Sequence, residues 1–276
     1  MFILSVDLNC DALPQSLSAN GIFFLGAVCT LEGENITEPS TASEFEQLYE
    51  TLSKPKEITR GELTAKNYED YFDTLLEKNK GAILHICGSE RGYERAKKGA
   101  SVTALKFPKR EIYLLKSNAR SAGVRLLLGD AVKMRANGLD ASEVFVLLSE
   151  SAENVKTSVV VSSTDWLIKN GYSVSAQPGT MLASRSVFDF SKEKPLLFRS
   201  KGAISTAERL VKLICNENKS LSTVFISAGS DEIGGLMYDK LTKKGFKVDF
   251  SSMGVASTTE FGPSATVVAY KISSEI

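Results

Sequence analysis

Residues 81–92, Gly-Ala-Ile-Leu-His-Ile-Cys-Gly-Ser-Glu-Arg-Gly, decide the reading of this chain. Gly81 to Cys87 is continuously apolar apart from His85, the composition of a strand buried on both faces of a parallel sheet. Working outward, Phe2 to Val6 and Ile22 to Thr30 read as strands before it. Ala42 to Leu52 and Ala65 to Lys78 read as helices, the second with Tyr68, Tyr71, Phe72 and Leu75 at helical spacing. A helix from Glu90, a strand Glu111 to Leu115, a helix Ala119 to Arg135 stopped at Asn137-Gly138, and a helix Ala141 to Ser149 follow. This alternation predicts a mostly parallel sheet with helices on both faces.

After Ser158 the pattern changes. Strands are expected at Ser158 to Ser162, Ser186 to Phe190, Pro195 to Arg199, Thr223 to Ser227, Lys247 to Ser251 and Ala265 to Ile272. Helices are expected at Thr164 to Lys169, Ala203 to Ile214 and Glu232 to Lys243. Closely spaced strands with helices between them predict an α+β lobe with a mixed or antiparallel sheet. The fold class is therefore α/β in two lobes, 1–154 and 155–276, divided at the polar stretch Ser151 to Lys156. The segment Thr258 to Ser264 reads as a Gly/Pro turn between the last strands.

Composition narrows the function. The 276 residues carry 33 basic and 33 acidic side chains with no charged stripe, which argues against nucleic acid and membrane surfaces. No run approaches the ~20 apolar residues of a membrane span. The apolar start meets Asp7 early, so it reads as a strand rather than a leader. Cys10, Cys29, Cys87 and Cys215 lie far apart, as buried thiols of a cytoplasmic protein do. The single histidine leaves no His/Cys metal cage, and neither GxxxxGK[ST] nor GxGxxG occurs. We expect a binder, with no metal, cofactor or catalytic residue.

The loop Cys87-Gly88-Ser89-Glu90-Arg91-Gly92 lies where open α/β proteins bind ligands, at the carboxyl edge of the strands. Gly88 allows close backbone approach, and Ser89 is either a hydroxyl donor beside an anion-friendly helix start or simply a helix cap. Ser117 and Ser121 begin the next helix at the same edge, where serine is equally an ordinary cap.

At these loops the chain resembles the DegV family of bacterial fatty-acid-binding proteins. The resemblance runs over essentially the whole chain: ILSVDLNCDALP with Asp7, Asp11, Leu13 and Pro14; LHICGSERGYERA with Tyr93 and Ala96; and LLKSNARSAGVRLLLGD, DWLIKNGY, FRSKGAISTAERLVKLI and TTEFGPSATVVAYK. It implies a long-chain fatty acid or similar amphiphile held between two lobes, its carboxylate presented to a separate fatty-acid kinase. The ligand-binding residues it implies are Thr59, Arg60, Gly88, Ser89, Ser121, Tyr172 and Glu260, with the polar end near Thr59, Ser89 and Ser121. The pattern departs at Thr59-Arg60-Gly61-Glu62, which stands where the family has Thr-Ser-Gln-Pro and keeps Thr59 but loses the serine and the proline. It departs again at Tyr172 in place of arginine, at Glu260 in place of histidine and at Ser264 in place of glycine. Glu260 beside a fatty carboxylate requires protonation or pairing with Arg60 or Arg91. An alternative expectation is a degenerate member that has lost lipid binding and acts on a protein or small polar ligand.

Overall fold

The computed structural model describes residues 2–54, 57–174, 184–192 and 194–272. In chain order its first strands are β1 Ile3–Asp7, β2 Ile22–Leu25, β3 Cys29–Leu31, β4 Glu34–Asn35, β5 Ile58–Arg60, β6 Ile83–Cys87 and β7 Ile112–Lys116. The later strands are β8 Val155–Val161, β9 Ser184–Phe188, β10 Leu196–Lys201, β11 Val224–Ala228, β12 Val248–Ser252 and β13 Thr266–Lys271. The helices are α1 Pro14–Ala19, α2 Ala42–Leu52, α3 Ala65–Lys78, α4 Glu90–Lys106, α5 Ala122–Ala136 and α6 Ala141–Glu153. They continue as α7 Asp165–Lys169, α8 Ala203–Glu217, α9 Ile233–Lys243 and α10 Val255–Phe261.

The amino-terminal sheet has the order β2-β1-β6-β7 and is wholly parallel. Strand alternation divides its side chains between two cores. Leu4, Val6, Leu84 and Ile86 face α5 and α6, packing on Val124, Leu127, Leu128, Val144 and Leu148. Ile3, Ile83 and Cys87 face α3 and α4, packing on Tyr68, Phe72, Leu75 and Ala96. At Gly99 an added Cβ would lie 2.7 Å from the Ala65 carbonyl, so glycine there sets how closely α4 crosses α3.

The second sheet has the order β10-β9-β8-β13-β11-β12, antiparallel except for β11 beside β12. Val160, Val187, Ile226 and Val268 pack outward on α8 and α9. Val159, Val161, Val267 and Ala269 point inward, to a layer that also holds Phe188, Ala122, Met253, Val255 and Phe261. Phe45, Leu48, Tyr49 and Leu52 of α2 close that layer. The expected mixed sheet is present. Its cover, however, comes from the first half of the chain, residues 29–54 and 57–60.

Several elements differ from the sequence reading. Ile22 to Thr30 is not one strand. It breaks at Gly26, whose missing side chain lets Leu8 pack at 2.9 Å from its Cβ direction, and β3 then joins a small antiparallel sheet β4-β3-β5. α5 starts at Ala122 rather than Ala119, because Ser121 takes φ +49. At the expected boundary, Ser151 to Lys156, α6 ends and β8 follows directly. Thr258 to Phe261 is not a turn: it belongs to α10, where the Thr258 and Thr259 hydroxyls bond to the carbonyls of Met253, Val255 and Ala256 and so fit a buried helix. The turn follows, at Gly262 with φ +98.

One side chain joins the two sheets. Arg125 of α5, buried, donates to the carbonyls of Ile226 (2.8 Å), Asp249 (3.2 Å) and Asp11 (3.3 Å). It also donates to the Ser227 hydroxyl (3.1 Å) and to that of Ser251, and pairs with Asp249 at 3.1 Å. Arg125→Leu would strand these acceptors and should destabilise the protein by about 3 kcal/mol. Urea unfolding should show the loss as a lower midpoint at unchanged slope. An unmoved midpoint would mean the guanidinium does not hold the lobes together.

Candidate functional site at the seam between the lobes

The carboxyl ends of the parallel strands meet α10 and the segment after α7 at the seam. From the first lobe come Asp11 after β1, Arg120 and Ser121 after β7, and Arg60 at the end of β5. From the second come Glu260 on α10 and Tyr172 after α7.

Glu260 is the centre. Its carboxylate accepts from Arg60 Nη2 at 2.9 Å, from Arg120 Nη1 at 3.0 Å, and from the Tyr172 hydroxyl. Arg120 Nη1 also reaches the Tyr172 oxygen at 2.7 Å, and its guanidinium lies over the rings of Tyr172 (5.3 Å) and Phe190 (5.6 Å). Asn170 donates to the carbonyls of Thr259 and Glu260, fixing α10 against α7. Burial alone would push the Glu260 carboxyl up. Arg60 and Arg120 outweigh it and hold the group below its ordinary value, ionised. Burial, then Glu260, pushes the Tyr172 phenol far up, so it stays a donor.

Beside this lies a pair of carboxylates, Asp11 and Glu38. Asp11, at φ +52, accepts from the Ser121 hydroxyl and from Gly254 N at 3.1 Å. Glu38 accepts from Val255 N at 3.1 and 3.3 Å. Burial raises Asp11, and burial together with Asp11 pushes Glu38 up to about 7.

The structure thus brings Arg60, Tyr172 and Glu260 together, with Arg120, which the sequence reading did not single out. Its only signal was a basic residue directly before Ser121 at the sheet's carboxyl edge. Of the two partners expected for Glu260, Arg60 serves, while Arg91 pairs with Glu62 at 2.9 Å. Thr59 is exposed and alternates with Ile58 and Arg60, so its side chain leaves the strand on the face opposite Arg60. Ser89 caps α4, its oxygen accepting from Gly92 N at 3.0 Å. Gly88 donates its N–H to Asp7 at 3.0 Å, and a Cβ there would collide with Asn9.

His85 makes two hydrogen bonds inside the core. Its ring nitrogens reach Ser5 Oγ (2.8 Å) and Asp7 Oδ1 (3.1 Å), a serine–histidine–aspartate order. Ser5 and His85 are fully buried beneath Tyr68, Tyr71 and Phe72, and Ser5 Oγ also meets the Tyr71 hydroxyl at 2.7 Å. A nucleophile needs a route to substrate; this network satisfies polar groups inside a core. Asp7, His85 and Cys87 place potential metal-ligand atoms within 4.8 Å of one another. The Asp7 oxygens already accept from Tyr68, His85 and Gly88, and burial holds Cys87 as a thiol. Surface hollows of about 440 and 390 Å³ lie at the opposite edge of the parallel sheet, around Ala82 and Glu111, remote from these groups.

A two-lobed α/β protein with an apolar layer and an ion cluster at its seam is the class these features define. The DegV family profile, described as that of an uncharacterised protein family, matches residues 3–272, and the chain belongs to that family. A DegV domain-containing protein of Clostridium perfringens is 22% identical over 95% of this chain and 94% of its own length. A stearic acid-binding protein of Eubacterium ventriosum shares the fold with TM-score 0.82 at 18% identity, covering 98% of both chains. The fatty acid kinase B3 protein of Streptococcus pneumoniae, solved with linoleic acid, shares it with TM-score 0.80 at 15% identity, covering 99% of this chain and 100% of its own.

The carboxylate pair gives a pH dependence of definite sign. Glu38 sits above its ordinary 4.5 when folded, so its contribution is complete below pH 4.5 and is lost as pH rises through about 7. Glu38→Gln should therefore gain melting temperature relative to the parent between pH 5 and 8, at roughly 2–4 °C per kcal/mol. A difference that does not vary with pH would show that Glu38 titrates normally.

Proposed function

We propose that this protein binds a long-chain fatty acid or similar amphiphile at the seam and carries it, without transforming it. The observation that supports this most is the adjacency of a predominantly apolar layer and a compact ion cluster. Val159, Val161, Phe188, Val267 and Ala269 face α2 across the layer, and Phe261 and Tyr172 lead from it to Glu260 and its arginines. Such a surface matches a molecule with a long tail and one polar end. The stearic and linoleic acids bound by the neighbours have that shape. The sealed Ser5–His85–Asp7 network supports a carrier over a hydrolase.

A carrier hands its cargo on, and the kinase designation of the Streptococcus pneumoniae neighbour makes a fatty-acid kinase the partner class to test. We place the protein in the cytoplasm: its cysteines are free thiols, and no helix among the described residues is long and apolar enough to cross a membrane. A second reading, a member that has given up lipid, draws on the satisfied state of the Glu260 cluster and the side-chain-filled layer.

Chain length separates the two. If the tail is buried, affinity should rise about fourfold per methylene, from ~0.8 kcal/mol each, until the layer is full. Titration with saturated acids from laurate to stearate should show this slope, and native mass spectrometry should find one acyl mass per chain. Flat affinities and a bare mass would favour the second reading.

A further inference from the structure

The ion cluster at the seam does not sum to zero. Arg60 and Arg120 contribute two positive charges, Glu260 one negative, and Tyr172 a neutral donor. Among the described residues the ion pairs of both arginines end on Glu260. Arg60 commits Nη2, and Arg120 commits Nη1, so each guanidinium keeps N–H groups for a further acceptor. Exposure divides by sign. The side chains of Arg60 and Arg120 are 32% and 25% exposed, while that of Glu260 is 9% exposed. The positive groups can be met from solvent, and the counter-charge is the most buried of the three. Glu260 also spaces the two guanidiniums, so they are held before any ligand arrives.

We propose that Arg60 and Arg120 form the head-group seat of the seam, and that the buried Glu260 fixes its charge so that it takes one monoanionic group and disfavours a dianion. This rests on the amphiphile reading above and adds what that reading leaves open, the polar end that is accepted. The seat differs from the neutral hydroxyls expected of Thr59, Ser89 and Ser121, which are exposed on another face, committed to a helix cap and committed to Asp11 respectively. A carboxylate placed on both guanidiniums brings the cluster to neutrality. Among the described residues of the cluster a second negative charge meets no further cation and adds to the repulsion from Glu260, which costs on the order of tenfold or more in affinity.

The test compares heptadecanoate, hexadecanol and hexadecyl phosphate, which share a sixteen-carbon alkyl tail and carry one, no and two negative charges at about pH 8. Displacement of a fluorescent acyl probe is read for the parent, Glu260→Gln and Arg60→Gln. The parent should prefer heptadecanoate to both others by on the order of tenfold. Glu260→Gln should raise hexadecyl phosphate relative to heptadecanoate by at least about tenfold, because the seat then carries two uncompensated charges. Arg60→Gln should bring heptadecanoate down to the level of hexadecanol. An unchanged phosphate-to-heptadecanoate ratio in Glu260→Gln, or parental heptadecanoate binding in Arg60→Gln, would overturn the proposal. Should Glu260→Gln not fold, Arg60→Gln decides alone, since its side chain is partly in solvent. Equal binding of all three probes by every variant leaves lipid binding standing and removes the seat. Binding of none by the parent removes both.

Discussion

Arg125, Asp11 and Glu260 are each buried where the two sheets meet, and none could remain there on partners from its own lobe. Transferring an ionised group out of water costs several kcal/mol unless opposite charge and hydrogen bonds replace the solvent. Arg125 finds its acceptors on β11 and β12; Glu260 finds its cations on β5 and the loop after β7. Asp11 takes one donor from each lobe, Ser121 and Gly254. The lobes are consequently docked in one register, because sliding either sheet would leave charges unpaired. Apolar contact alone, being non-directional, would not specify that register.

The same constraint explains which parts of the molecule were legible in the chain. Gly81 to Cys87 announced a buried parallel strand because an all-apolar run has few other uses, and α4 begins at Glu90 as its capping serine indicated. Residues 29–54 and 57–60 were not legible as a cover. β3, β4 and β5 are two or three residues long, too short to show a period, and their destination on the other lobe is a tertiary fact. α10 was obscured by its threonines, which favour turns in sequence yet here bond to their own helix. Among the site residues, the family resemblance brought Glu260 together with Arg60 and Arg91, and charge then offered either arginine as its partner. Arg120 could not be singled out, since one arginine among many carries no mark until the fold brings it to Glu260.

The location of the cover on the second lobe bears on how a ligand would enter. Phe45, Leu48, Tyr49 and Leu52 already fill the layer above Val159, Val267 and Ala269. Polar attachments of the cover include the Tyr49 hydroxyl on the carbonyls of Ala228 and Met253, Glu38 on Val255 N, and Arg60 on Glu260. A tail entering there would take over contacts that these side chains make with the sheet, and the cover would then rest on the tail. Burying a sixteen-carbon chain is worth about 12 kcal/mol at ~0.8 kcal/mol per methylene, but each displaced core side chain counts roughly 1.5–3 kcal/mol against it until it repacks. The net from the tail is therefore a difference of similar quantities. In that balance the polar end would not be minor: under the proposal above, one unit charge met by two partly exposed arginines would be of the size that decides between binding and none. It follows that substitutions at Arg60, Arg120 or Glu260 should act on ligand choice more strongly than their distance from the tail suggests, whereas a change confined to the sheet face, such as one at Val159, acts on tail and cover alike and alters affinity without altering preference.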